Sequence, residues 1–298
     1  MPRRVSMSLF LGVLLAALLA SAEPALADAD AERGKYIFHA AGCAACHTDK
    51  KGKGAPLAGG RKLKTSFGIF HSPNITPDPE NGIGRWSDGD FIRALRQGVA
   101  PDGSHYFPVF PYPSYTGITD RDLLDLKAYL FTLPAAKTVN KPHDVSPPFG
   151  WRFLVPVWKA LYFTPGPFRP DPGRSEEWNR GAYLVTALGH CGECHTPRGA
   201  LGAPTAGMAL AGTTEGPEGG LIPNITPDKE TGIGRWPDGD LEELLKSGML
   251  PDGDFVGDAM GDVVDDTTGR LKGTDLKAII LYLRSLPPVF HRIERKKK

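Results

Sequence analysis

Two short runs in this chain combine a pair of cysteines with a histidine at the same spacing. Cys-Ala-Ala-Cys-His occupies residues 43–47, Cys-Gly-Glu-Cys-His occupies residues 191–195, and together they use all four cysteines of the 298 residues. Such a run attaches a c-type haem, because its two thiols add to the macrocycle and the adjacent histidine reaches the iron. Half of a zinc site or a dithiol redox pair would leave the histidine after both copies unexplained. The sequence therefore predicts two covalent haems, attached by Cys43, Cys46, Cys191 and Cys194 and ligated by His47 and His195.

The first 27 residues have the pattern of a secretory signal peptide. Arg3 and Arg4 precede an apolar run over residues 9–20, and residues 25–27 supply the small side chains of a cleavage site. The apolar run is short for a bilayer span, and an uncleaved anchor is the less favoured alternative. Export agrees with covalent haem attachment, which takes place outside the cytoplasm. We expect a periplasmic protein that begins near residue 28.

The rest of the chain is a duplication. Pro-Asn-Ile-Thr-Pro-Asp occurs at residues 73–78 and 223–228, and Gly-Ile-Gly-Arg-Trp occurs at residues 82–86 and 232–236. Both pairs are offset by 150 residues, whereas the two Cys-x-x-Cys-His runs are offset by 148. A repeat at a nearly constant offset indicates two copies of one structural unit, with small loop insertions.

Apolar periodicity predicts the same helices in each copy. A helix leads into the haem motif, a short amphipathic helix covers residues 88–97 and 238–247, and a closing helix covers residues 120–133 and 274–286. Strand signals are nearly absent, so the predicted fold is all-α, with two tandem domains that each wrap one haem. The predicted boundaries are 1–27 for the signal peptide, 28–138 and 176–290 for the two domains, 139–175 for a linker and 291–298 for a basic tail.

The linker is rich in proline and aromatic residues. The ordinary interpretation is a segment packed across both domains, because aromatic side chains are usually buried. The alternative is a docking or membrane-surface patch, since Arg152 and Lys159 interrupt an apolar run.

The two halves differ in charge, although the chain without residues 1–27 is formally neutral. Residues 28–140 carry 14 basic and 12 acidic side chains, and residues 171–290 carry 10 basic and 19 acidic ones. Such an asymmetry bears on docking rather than on fold. We expect two clusters to be docking faces, with solvated loops as the alternative: the acidic Asp252, Asp254, Asp258, Asp262, Asp265 and Asp266, and the basic Lys50, Lys51, Lys53, Arg61, Lys62 and Lys64.

Both copies resemble the class I domains of cytochrome c subunits from bacterial alcohol, gluconate and aldehyde dehydrogenases. The haem motifs, the two repeated runs and the Pro-Asp-Gly turns at residues 101–103 and 251–253 carry this resemblance, over residues 31–134 and 176–287. It implies a periplasmic dihaem carrier that takes electrons from a dehydrogenase and passes them to a cytochrome or a terminal oxidase. It implies no nucleic-acid partner and leaves a peripheral membrane contact open. Such subunits usually carry three haem motifs, and this chain has two.

The resemblance also implies iron ligands after the Pro-Asp-Gly turns, where the family has a methionine. Met260 lies nine residues after Pro251 and is the expected sixth ligand of the second haem. Phe110 has the same offset from Pro101, and the chain has no methionine between Met7 and Met208. Three alternatives remain for the first iron: a histidine ligand, an open position, or approach by a tyrosine, with His105, His71, Tyr112 and Tyr115 as candidates. An open position would permit a rival function as a peroxidase-like enzyme or a ligand-binding haem protein.

Further site residues follow from the family pattern. In class I cytochromes a proline carbonyl accepts a hydrogen bond from the iron-binding histidine and so orients it. Pro56 and Pro204 each lie nine residues after such a histidine and are the candidates. Arginine and tryptophan donors suit haem propionates, although a purely structural turn explains the same residues. The candidate donors are Arg85, Trp86, Arg235 and Trp236.

Overall fold

The computed structural model describes residues 29–216 and 219–294, so the predicted signal peptide and the last four residues of the basic tail lie outside the described part. The first half contains, in order, α1 Ala31–Ala40, α2 Cys43–His47, β1 Lys62–Thr65, β2 Gly68–His71, α3 Asp88–Gln97, α4 Tyr112–Tyr115 and α5 Asp120–Leu130. The segment between the halves contributes β3 Asp144–Val145 and α6 Val155–Tyr162. The second half contains α7 Glu176–Tyr183, α8 Gly192–His195, α9 Asp238–Ser247, α10 Asp258–Asp266 and α11 Gly273–Ser285. No helix in the described ranges is long and apolar enough to cross a bilayer.

The predicted amphipathic helices match α3 and α9 residue for residue. Ser87 and Asp90 form a capping box at the start of α3, since each side chain accepts a hydrogen bond from the other's backbone N–H. Gly98 and Gly248 end the two helices with φ of 63° and 82°, the left-handed conformation that glycine adopts without strain. The closing helix α5 ends three residues earlier than predicted.

The first and last helices of each half cross where the first helix has a glycine. A Cβ atom at Gly34 would overlap the carbonyl oxygen of Asp125, and a Cβ atom at Gly181 would overlap that of Ala278. The two helix backbones can therefore approach closely only because these positions lack a side chain. This close approach holds the first helix of each half, which the haem motif follows, against the closing helix of the same half.

The all-α prediction missed a small antiparallel sheet. Strand β1 pairs with β2 through a tight turn at residues 66–67, and β2 pairs with β3 from the linker in the order β1-β2-β3. These strands have four, four and two residues, too few to produce a recognisable alternation of polar and apolar side chains. The sheet fastens the linker to the first half.

The two halves are joined by a reciprocal pair of hydrogen bonds. The Tyr36 hydroxyl donates to Asp275 over 2.6 Å, and the Tyr183 hydroxyl donates to Asp122 over 2.6 Å. The tyrosines occupy equivalent positions in α1 and α7, and the aspartates occupy equivalent positions in α5 and α11. Contacts that exchange in this way define a two-fold interface, here within one chain. Buried side chains of both halves join in one continuous apolar core.

The linker helix α6 contacts both halves. Val155 and Lys159 are buried against the first half, and the Trp158 indole donates to the Leu201 carbonyl of the second over 2.9 Å. The linker thus contacts both halves as expected, but four of its aromatic side chains are exposed rather than buried: Phe149, Trp151, Phe153 and Tyr162.

Gly34→Ala should reduce the free energy of unfolding by about 1–3 kcal/mol, because the new methyl group forces α1 away from α5. Gly89→Ala is the matched control: its Cβ atom would meet only Ser87 Oγ at 3.8 Å, and alanine is the better helix former. Denaturant unfolding measures both. Equal stability of the two variants would contradict the close crossing.

Tyr36→Phe and Tyr183→Phe should each reduce stability by about 1–3 kcal/mol, because each change removes a hydrogen bond to a carboxylate at the interface. Tyr162→Phe, at an exposed tyrosine, should leave stability unchanged. Urea titrations of the three variants test this. A reciprocal interface requires similar losses for the first two variants, and a loss in only one would contradict it.

Candidate functional site

The candidate site begins with two short helices that carry the cysteines and histidines. Gly42 adopts φ of 62° and starts α2, so that Cys43, Cys46 and His47 lie on little more than one helical turn. Residues 191–195 and α8 repeat this arrangement in the second half. None of the four cysteines forms a disulfide. Burial raises the pKa of the Cys43 and Cys191 thiols to about 12, so these thiols are protonated at neutral pH.

Both motif histidines are oriented by a proline carbonyl. His47 Nδ1 lies 2.8 Å from the Pro73 oxygen, and His195 Nδ1 lies 2.8 Å from the Pro223 oxygen. A carbonyl can only accept, so each Nδ1 carries the proton and each Nε2 keeps a free lone pair. Burial lowers the pKa of both histidines and so favours the neutral ring. A neutral imidazole with a free Nε2 is the form that binds a metal.

The prediction of Pro56 and Pro204 as these acceptors is wrong. Both prolines are exposed, and the acceptors belong to the Pro-Asn-Ile-Thr-Pro-Asp runs, 26 and 28 residues after the histidines. Pro204 is also not the structural counterpart of Pro56, because equivalent hydrogen bonds in the two loops make Leu57 the counterpart of Leu210. Thr48 Oγ1 accepts from Leu57 N, and Thr196 Oγ1 accepts from Leu210 N. The second loop is therefore five residues longer between these two partners. The sequence signal for the true acceptors was the constant offset of the two Pro-Asn-Ile-Thr-Pro-Asp runs.

The two motifs meet at the interface between the halves. Ser114 in α4 donates to Glu193 of the second motif over 2.6 Å, and Arg198 pairs with Glu193 over 2.6 Å. Burial and, to a smaller extent, the charges of Glu193 and Cys46 raise the pKa of the Cys194 thiol to about 11. Tyr115 bridges the two motifs, because its hydroxyl donates to the Ala41 carbonyl and its ring centroid lies 5.3 Å from that of His190.

The two charged clusters that the sequence predicted as separate docking faces contact each other. Lys50 lies 2.7 Å from Asp266, and Arg61 lies 3.0 Å from Asp262. These ion pairs connect the first motif's loop to α10 of the second half. The sequence could show the opposite signs of the clusters but not their proximity, which depends on the two-fold arrangement. Part of each cluster therefore stabilises the interface.

Met260 lies half-buried in α10, the helix held by these ion pairs. Arg85 and Arg235 are exposed, whereas Trp86 and Trp236 pack partly buried against the apolar core. The two copies thus place each arginine and each tryptophan alike. The assignment of Met260 as an iron ligand and of the four donors to haem propionates remains a prediction.

Phe110 lies in a cluster of aromatic rings at the first motif. Its ring centroid is 5.5 Å from that of Tyr106 and 5.8 Å from that of Tyr115. The Tyr115 hydroxyl donates to the Ala41 carbonyl over 2.7 Å and is therefore engaged. The Tyr112 hydroxyl is fully buried and has no hydrogen-bond partner among the described residues. Phe110 is thus surrounded by aromatic rings, and the neighbouring Tyr112 carries a buried hydroxyl without a partner among the described residues.

His105 is held away from a ligand role by a buried lysine. Lys159 Nζ lies 2.6 Å from the Gln97 oxygen, 2.9 Å from the Gly98 oxygen and 2.9 Å from His105 Nδ1. An ammonium group has three protons, and here it has three acceptors. His105 Nδ1 then accepts, so its Nε2 carries the ring proton and cannot bind iron. His71 Nδ1, by contrast, is buried without a hydrogen-bond partner in the described part of the chain.

The residues present fit two covalent haems. Each motif offers two unpaired thiols, a neutral histidine with a free Nε2 and a second group that fixes the histidine's orientation. This donor set suits c-type haem better than a dithiol redox site, which has no use for the oriented histidines.

Lys159 should make stability depend on pH. Burial lowers its pKa to about 8, below the ordinary value of about 10.5. Between these values the unfolded chain binds a proton that the native lysine has lost, so the native state gains stability as the pH rises through this window. Unfolding titrations at pH 7.5 and 10 measure this effect. Between these pH values the free energy of unfolding should increase more for wild type than for Lys159→Met. The exposed-lysine control Lys35→Met should change in parallel with wild type. The same pH dependence of stability in Lys159→Met as in wild type would contradict the lowered pKa of Lys159.

Comparisons with known proteins place the chain among cytochromes. The Cytochrome c family model matches residues 31–134. A "Diheme cytochrome c-type" protein of Cereibacter sphaeroides is 46% identical over 264 residues, which are 87% of each chain. The cytochrome c subunit of an alcohol dehydrogenase (quinone) from Gluconacetobacter polyoxogenes is 39% identical over 93% of this chain and 60% of its own. The gluconate 2-dehydrogenase cytochrome c subunit of Pantoea cypripedii is 38% identical over 94% of this chain and 64% of its own length. The chain thus spans about three fifths of the length of these two dehydrogenase subunits.

Proposed function

The chain belongs to the cytochrome c family, and on this premise we propose that it is a periplasmic dihaem electron-transfer protein serving a dehydrogenase. The observation that carries the proposal is the repeated unit of two thiols and one histidine, each histidine 2.8 Å from a proline carbonyl. Two such units in contact at one interface suit electron transfer between them. In this proposal the chain has two domains, residues 28–138 and 176–290, which are joined by a linker of residues 139–175.

The chain's own residues have three tasks in this function. Cys43 and Cys46 would hold the first haem, and Cys191 and Cys194 would hold the second. His47 and His195 would ligate the irons, while Pro73 and Pro223 keep the imidazoles in the ligating tautomer. The apolar core around each motif excludes water and so tunes the iron. A bound haem would supply a one-electron Fe(III)/Fe(II) couple, and the protein adds attachment, ligation and electrostatics.

A dehydrogenase is the proposed electron donor. The named relatives include cytochrome c subunits of alcohol and gluconate dehydrogenases. A downstream cytochrome or a terminal oxidase would accept the electrons. The signal-peptide pattern of residues 1–27 supports the periplasmic assignment, and a peripheral membrane contact is compatible with it.

The two irons would differ in ligation. Met260 would bind the second iron and raise its reduction potential, whereas Phe110 leaves the first iron without a methionine. The first haem would then have the lower potential.

Met260→His should lower the potential of one haem by a sizeable fraction of the about 0.8 V range that axial ligands span. Met249→His, at a methionine outside the proposed ligand position, is the matched control and should leave both potentials near wild type. A spectroelectrochemical titration measures both haems in each variant. Two unchanged potentials in Met260→His would refute the assignment of Met260.

An open first iron is the second candidate, and it would make the protein a peroxidase-like enzyme or a ligand-binding protein. The engagement of His105 by Lys159 favours it over ligation by that histidine. Low-temperature EPR of the oxidised protein distinguishes the cases. A high-spin signal near one haem equivalent, together with carbon monoxide binding, is expected for an open iron. Two low-spin signals would mean that a residue such as His71 binds it, and His71→Ala should then produce the high-spin signal.

A further inference from the structure

The linker carries an apolar stripe on its outer face. Phe153, Val157 and Leu161 are 70%, 58% and 66% exposed, and their spacing of four residues aligns them on one side of α6 and the turn before it. Trp151 stacks on Phe153 with ring centroids 5.6 Å apart and extends the stripe. A continuous apolar surface of this kind is unusual on a soluble protein and marks an interaction site.

The stripe is presented rigidly rather than by a loose segment. On the opposite face of α6, Val155 packs with Phe70 and Phe107, and the Lys159 ammonium is fully hydrogen-bonded. The Trp158 indole binds the second half. A surface held from both sides loses little conformational entropy on binding a partner.

The flank of α6 next to the stripe borders the second haem motif. Trp158 and Tyr162 line a cavity of about 390 Å³, and Gly192 and Glu193 of the second Cys-x-x-Cys-His run line it as well. A partner seated on the stripe would therefore lie beside the helix that carries Cys194 and His195. This proximity is what an electron donor or acceptor needs.

The charge of the segment indicates what kind of surface covers it. The chain has no acidic residue between Asp144 and Asp171, whereas Arg152 and Arg169 are exposed on this stretch. Aromatic side chains with arginine are the composition of protein interface cores. Charge complementarity then requires a partner whose apolar patch has an acidic rim. An anionic lipid surface fits less well, because the cavity beside the stripe is concave.

We propose that the stripe of Trp151, Phe153, Val157 and Leu161 is the docking surface for the dehydrogenase that donates electrons to this chain. This inference rests on the proposed function and adds the site and the chemistry of the partner. Each transfer removes one electron from the reduced cofactor of the dehydrogenase and reduces one ferric haem to the ferrous state. A two-electron oxidation of a substrate therefore loads both haems, and the dehydrogenase releases the substrate's protons to solvent. Because the relatives named above are cytochrome c subunits of dehydrogenases, the donor is the partner proposed for this surface, and docking here makes the second haem the one that it reduces directly.

The first experiment places the photoreactive amino acid p-benzoylphenylalanine at Val157 of the full chain in its native host. Illumination should crosslink the haem-loaded protein to a dehydrogenase subunit that contains a redox cofactor, identified by mass spectrometry. The same probe at Phe290, which is 61% exposed, is the matched control and should give no such product. A product with lipid, with a second copy of this chain or with a protein that lacks a redox centre would overturn the proposal, as would no product.

The second experiment follows haem reduction by the crosslinked dehydrogenase in a stopped-flow spectrometer. The triple variant Phe153→Ser, Val157→Ser, Leu161→Ser should be reduced about tenfold more slowly or worse than wild type. Phe290→Ser should match wild type, and ascorbate should reduce all three proteins alike. Reduction of the triple variant at the wild-type rate would overturn the docking surface and leave the electron-transfer function intact. Failure of the dehydrogenase to reduce wild type would overturn both.

Discussion

The reciprocal hydrogen bonds between Tyr36 and Asp275 and between Tyr183 and Asp122 are the constraint on which the site depends. Each bond ties the first helix of one half to the last helix of the other. Because both bonds form in the same way, the two halves share one arrangement, in which each half places the loop before its closing helix beside the other's Cys-x-x-Cys-His run. The contact between Ser114 and Glu193 and the ion pair between Arg61 and Asp262 follow from this arrangement. The proximity of the two motifs is thus a property of the interface rather than of either half.

Within each half, one hydrogen bond prepares the histidine for its chemistry. The carbonyls of Pro73 and Pro223 hold the proton on Nδ1, and burial keeps each ring neutral. Because the carbonyl geometry is the same in both copies, a difference between two bound irons would have to come from other residues. The proposed source is Phe110 and Met260, which have the same offset from the Pro-Asp-Gly turn of their own copy.

The sequence predicted elements whose information is local and failed where it is not. Helices α3 and α9 were correct to the residue because a left-handed glycine ends each of them and a capping box also marks the start of α3. The small sheet was missed because its pairing joins residues 68–69 to the distant residues 144–145. Pro73 was overlooked as the acceptor for His47 because 26 residues of loop separate them. The basic and acidic clusters were recognised as charged patches, but their pairing depends on the two-fold interface, which no local pattern encodes.

The central claim, that two haem units face each other across this interface, is tested most directly by EPR spin coupling. The oxidised protein would be compared with a Cys191→Ala, Cys194→Ala variant that keeps only the first haem. The account predicts two haems per wild-type chain, whose signals are broadened by mutual dipolar interaction, and a single sharpened signal in the variant. A wild-type spectrum that is the simple sum of two independent haems, or one that contains a single haem, would contradict it.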